Sequence, residues 1–134
     1  FPYFKEHTMS DYNETLKSGK EIYVPHWPVD VSLENLAKAG QYLGTNAVIQ
    51  ISEVNIPAVI VSIMEAKDPM QTASLIKHFI CQARISGEKI DPSTIDQMFE
   101  GNLAEVAEIF AHVIAAQYAD FFALGLAKVV SPAN

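Results

Sequence analysis

Arginine is nearly absent from this sequence: Arg84 is the single arginine among nine basic residues, which face sixteen Asp and Glu for a net charge of −7. A surface of that sign argues against binding nucleic acid or other phosphate ligands by charge. Cysteine is as scarce. The lone Cys81 excludes an internal disulfide and gives no sign of a secreted, disulfide-stapled domain, so a reducing cytoplasm is the expected compartment. The six glycines stand singly, each explained by a turn or a helix end, and no glycine-rich phosphate loop exists. Long apolar runs are missing as well. The longest, Ile56 to Met64, is about half of what a membrane-spanning helix needs, and no charged-then-apolar leader opens the chain, so no membrane partner is expected.

What is present suits one globular domain. Of 134 residues, 49% are hydrophobic and 19% charged, enough apolar area to offset the entropy of ordering the backbone. The expected fold is mainly α: a compact bundle of five to six short helices with a small N-terminal β element. Residues 1–29 read as an irregular arm containing a candidate hairpin, 30–125 as the helical domain and 126–134 as a C-terminal tail. In the arm, Glu21 to Val24 alternates with strand period and is stopped by Pro25 and Pro28. Ser18-Gly19-Lys20 precedes it as a turn, and the segment reads as one edge of a hairpin with Tyr3 to Lys5 as a partner.

Helix starts and stops recur from Asp30 onward. Asp30 or Ser32 can cap a helix of about eleven residues whose apolar positions Leu33, Leu36, Ala37, Ala39, Gly40 and Leu43 share a face, ending at Gly44. Asn46 to Ile51 is either one helical turn or a buried strand. Asn55 before Ile56-Pro57 opens a helix that is apolar nearly all round and is therefore expected at the centre of the core. Asp68-Pro69 opens the next, with Ser86-Gly87 as its stop. Asp91-Pro92 opens a short one that ends at Gly101. Asn102, with Glu105 three residues on, caps the longest helix through Tyr118 to about Leu124.

Candidate chemistry is sparse. His78 and Cys81 share a helix face, and with His112, His7 and His26 they are the residues from which a thiolate–histidine pair or a metal site could be assembled. The plainer reading makes Cys81 a small buried hydrophobe and His78 a polar residue at the edge of the core. Glu105/Glu108 and Asp91/Asp96 are paired carboxylates, but each pair opens a helix, where negative charge is favoured by capping and by the dipole. No catalytic residue, metal site or cofactor is assigned on this basis.

Apolar residues at the two ends are more informative. Tyr118, Phe121, Phe122, Leu124, Leu126, Val129 and Val130 crowd one end, Phe1, Tyr3 and Phe4 the other, and Trp27 lies between two prolines. Either these residues fold back as core or they form a patch that marks a protein partner. On the second reading Phe121, Phe122, Leu124, Leu126, Val129, Val130, Tyr3, Phe4 and Trp27 are the partner-binding residues.

The stretch PVDVSLENLAKAGQYL from Pro28 to Leu43 and the long segment from Asp68 to Phe122 resemble the tail assembly chaperones of contractile- and long-tailed bacteriophages. The likeness is carried by Leu75, Ile76, Lys77 and Phe79, then by Ile90, Pro92, Ser93, Ile95, Asp96 and Phe99 to Asn102, and finally by Tyr118, Asp120, Phe121 and Phe122. These are packing and capping residues with no catalytic signature. Phe1 to Trp27 has no counterpart in the pattern. The resemblance implies a non-enzymatic protein of the host cytoplasm that binds the tape measure protein, a long helical protein with exposed apolar stripes, and keeps it soluble until tail-tube subunits polymerise around it. It also implies protein partners and a homo-oligomer or array. A structural tail or baseplate subunit retained in the virion is the alternative.

Overall fold

The computed structural model describes residues 12–126. Four short strands and six helices follow one another: β1 (Tyr12–Thr15), β2 (Glu21–Val24), α1 (Val29–Leu43), α2 (Thr45–Ile51), α3 (Ile56–Met64), α4 (Pro69–Ile80), β3 (Arg84–Ile85), β4 (Glu88–Lys89), α5 (Ile95–Met98) and α6 (Leu103–Gly125). The fold is mainly helical with a small antiparallel β element, as the sequence pattern predicts.

The β element differs from expectation in two ways. β2 is an inner strand, with order β1-β2-β3-β4 and antiparallel pairing throughout, so it pairs Tyr12↔Val24 on one side and Ile22↔Ile85 on the other. Its expected partner, Tyr3 to Lys5, lies outside the described residues. Ser86-Gly87 does not end a helix. Both residues have positive φ, 51° and 84°, and they form the two-residue turn of the hairpin β3–β4. The helix before them already ends at Ile80, because Ala83 and Ile85 are drawn into the core beside Ile22 and Val24.

α1 starts two residues earlier than an Asp30 cap predicts and four earlier than a Ser32 cap predicts. Pro28 precedes it, and Asp30 sits in the first turn with its Oδ1 accepting from the Val31 N–H at 3.0 Å. Its helical face turns so that Asn35, Ala39 and Leu43 are buried while Leu33 is exposed. The segment after Gly44 is a helix. Of the four predicted starts farther on, three are capped as expected: Asn55 Oδ1 accepts from Ala58 N, Asp68 Oδ1 from Gln71 N and Asn102 Oδ1 from Glu105 N, all within 3.1–3.2 Å. Asp91 caps no helix: its Oδ1 accepts from Ser93 N and Oγ at 2.9 Å in a turn, and α5 begins only at Ile95.

α6 is the axis of the core. Its length and composition would let it cross a membrane, yet its central apolar side chains are spent inside the domain, with Ile109, Phe110, Val113 and Ile114 fully enclosed, while Leu103, Phe121 and Leu124 toward its ends are exposed. Phe79 of α4 packs between Phe110 at 5.4 Å and the edge of Trp27 at 5.0 Å. α3 corrects the expectation that it is central. Only Val59 and Ser62 are buried, and the helix lies on the periphery against α2 and α6.

The N-terminal segment is latched to α6 along its length. The buried Glu105 carboxylate accepts from Ser18 Oγ and Lys20 Nζ at 3.1 and 3.5 Å, and Glu108 Oε2 accepts from the Lys17 backbone N–H at 3.0 Å. Farther down, Gln117 accepts from Trp27 N and donates to Pro25 O, and the Tyr118 hydroxyl donates to Ser32 O at 2.8 Å.

Candidate functional site

Where the C-terminal end of α6 passes the α1–α2 junction, the two walls do not close. Gly44, at φ 95°, turns the chain between α1 and α2 and sets them at an angle that only a residue without a Cβ enters freely. The result is a groove of about 560 Å³. One wall is Leu36, Ala37, Gly40, Val48 and Ile49; the other is Phe121, Phe122, Gly125 and Leu126, with Gln41 and Thr45 as the polar side chains at the rim. No charged residue lines it, although the chain carries −7 overall.

The aromatic wall is braced from below. Tyr118 is buried, and its hydroxyl is tied to Ser32 O; Phe122 stacks on it at 6.1 Å and Phe121 leans on Phe122 at 5.9 Å. Phe122 is half-buried while Phe121 is 55% exposed. The small residues Ala37 and Gly40, one turn apart on α1, leave room for a closely approaching backbone or side chain. An uncharged, concave, aromatic-walled surface of this size can seat the apolar face of a helix.

Of the partner-binding residues expected from the sequence, Phe121, Phe122 and Leu126 are brought together here. Leu124 is 85% exposed on the same helix but outside the groove. Trp27 packs against Phe79 and Tyr118 at the edge of the core. Tyr3, Phe4, Val129 and Val130 lie outside the described residues. The opposing wall was not foreseen; the Ala37/Gly40 pair within an otherwise larger apolar stripe is the signal that points to it.

The titratable residues are disposed differently. Cys81 and His78 line a separate cleft with Lys77, Lys89 and Pro92. Burial, then the nearby Asp91 charge, pushes the Cys81 thiol up, which keeps it protonated and a weak nucleophile. His112 is engaged elsewhere, its Nδ1 receiving the Tyr12 hydroxyl at 2.7 Å with Glu108 3.8 Å from Nε2. Burial holds His112 below its ordinary value, the charges of Glu108 and Glu14 opposing in part. Burial and Glu14 push Tyr12 up to about 12. Among the described residues no group of three His, Cys, Asp or Glu side chains is placed to hold a metal ion.

A family model described as phage tail assembly chaperone protein, TAC, matches residues 18–128. The chain belongs to that family. Its role is therefore that of a chaperone in tail assembly, and membership implies protein partners and a non-enzymatic role. The matched span takes in both walls of the groove, α3 and the latch between residues 18–20 and α6. No curated protein and no solved structure matches the chaperone.

Proposed function

We propose that this tail assembly chaperone binds an apolar helical segment of the tape measure protein in the groove between α1, α2 and the end of α6, and keeps it soluble until the tail tube forms around it. The observation that supports the reading is the absence of any charged side chain from a concave, aromatic-walled surface on a strongly acidic molecule. The groove masks an apolar stripe, while the acidic exterior keeps the complex from precipitating. Burying a client Leu or Phe side chain contributes about 1.5–3 kcal/mol. A few such anchors suffice for a reversible complex that tube subunits can displace.

The test is co-expression with the tape measure protein, followed by size-exclusion chromatography with light scattering. Gly40→Leu separates binding from folding. A Cβ at Gly40 meets nothing within 4 Å, so the added side chain projects into the groove while the helix gains propensity. The expected result is an unchanged or higher Tm with client solubility lost. Phe121→Ser with Phe122→Ser should also weaken binding, with some loss of Tm from the half-buried Phe122. Client that stays soluble with the Gly40→Leu protein would overturn the reading, and this chain found in purified virions would favour the structural subunit.

A further inference from the structure

Basic side chains are scarce on this acidic chain, yet several of them gather along the outward face of α4. Two hollows adjoin there, of about 320 and 340 Å³, and share Ser74 and His78. Lys38 of α1 lines the first, and Lys77 of α4 and Lys89 of β4 line the second. No Asp or Glu lines either one. Lys77 and His78 stand in the last turn of α4, where the helix dipole favours positive charge. Lys89 belongs to a strand and has no such reason to be there. The neighbouring Asp91 is turned to Ser93, and Lys38 is held by Glu34 at 3.4 Å. Among the described residues the side chains of Gln71, Ser74, Lys77, His78, Gln82 and Lys89 make no hydrogen bond or ion pair. They are donors without acceptors.

We propose that the two hollows form one docking cleft for a short carboxylate-rich segment of a partner protein, separate from the apolar groove. Charge complementarity selects that occupant. Unpaired lysines with no acid among them attract carboxylates, and Gln71, Ser74 and Gln82 add hydrogen bonds to the same oxygens. A single phosphate group is answered less well, because the cations come from three elements and are spread over two hollows. Arg84, the one side chain whose fork matches phosphate, lines neither. A nucleic acid is charged along its whole length and would meet a molecule of net charge −7 on both sides of the cleft. An acidic segment bounded by neutral residues brings its charge only where the lysines are. α1 divides the two sites, with Ala37 and Gly40 toward the groove and Lys38 toward the cleft. Both can therefore be filled at once.

The inference goes beyond client binding and is tested without the client. Fluorescence anisotropy of a fluorescein-labelled peptide of alternating Glu and Ser, titrated with the full chain, should show saturable binding that weakens as sodium chloride is raised. The same peptide with Gln in place of Glu should not bind. Lys77→Gln with Lys89→Gln should weaken binding about tenfold, roughly what two exposed charge pairs contribute. Both side chains are exposed and unpaired, so the melt should not change. Lys17→Gln with Lys67→Gln removes the same charge outside the cleft and should change binding little. Gly40→Leu, which fills the groove, should leave it unchanged, so the two readings stand or fall separately. A peptide that does not bind, or that loses as much affinity through Lys17 and Lys67, would overturn the proposal. A single-stranded oligonucleotide of equal charge that binds more tightly than the peptide would give the cleft to nucleic acid instead. A light-scattering mass above that of one chain, lost in the Lys77/Lys89 double variant, would give it to the acidic face of a second copy. Either result overturns the acidic partner segment.

Discussion

His112 shows how a buried polar residue ties distant parts of the chain together. Its ring accepts the Tyr12 hydroxyl across a separation of one hundred residues and lies beside Glu108, while burial disfavours its charged form. The folded pKa therefore lies below the ordinary value of 6.5, and the unfolded chain binds more protons in the interval between them. Stability from this group is full above about pH 6.5 and is lost as pH falls toward and through the folded pKa. Thermal melts at falling pH should show a declining Tm for the wild-type chain and a flatter profile for His112→Gln. An unchanged slope in the variant would assign the acid sensitivity to other groups. Nothing at the level of spacing revealed this contact, since Tyr12 and His112 lie one hundred residues apart in the sequence.

At the scale of elements, helix starts are local events and were legible as such. Asn55, Asp68 and Asn102 each place a side-chain oxygen over the N–H three residues on, and short-range chemistry suffices to predict it. Ser86-Gly87 was not legible, because the same two residues end a helix or turn a hairpin according to whether a strand is waiting. That strand, β2, lies some sixty residues earlier in the chain. α3 failed for a related reason: composition reports that a helix is apolar all round, not which molecule covers each side. Likewise Phe121, Phe122 and Leu126 could be named as sticky from the sequence, but the wall they face needed the bend at Gly44. Gly44→Ala forces a side chain into φ 95° and should cost about 1–2 kcal/mol of stability. Urea unfolding would read this as a lower midpoint with an unchanged slope.

At the scale of the molecule, a strongly acidic chain carries an uncharged apolar groove. Charge therefore governs how the chaperone and a client approach rather than what seats the client. Added salt screens charge and leaves an apolar contact intact. Client capture should change little as sodium chloride is raised, the opposite of a contact held by ion pairs, and pull-down in a salt series would show which holds.

The latch between the two ends of the sequence also dictates when the protein can exist at all. Lys17, Ser18, Trp27 and Ser32 are satisfied by Glu105, Glu108, Gln117 and Tyr118, partners 86 to 91 residues further along. On the ribosome β2 can pair with β3 and α1 can pack on α2 and α4, but the latch residues have no partners until α6 has been synthesised. Closure of the latch therefore waits for α6, whose far end is also one wall of the groove. The groove is complete only once α6 has been synthesised, so a copy without it presents no seat in which to hold a client.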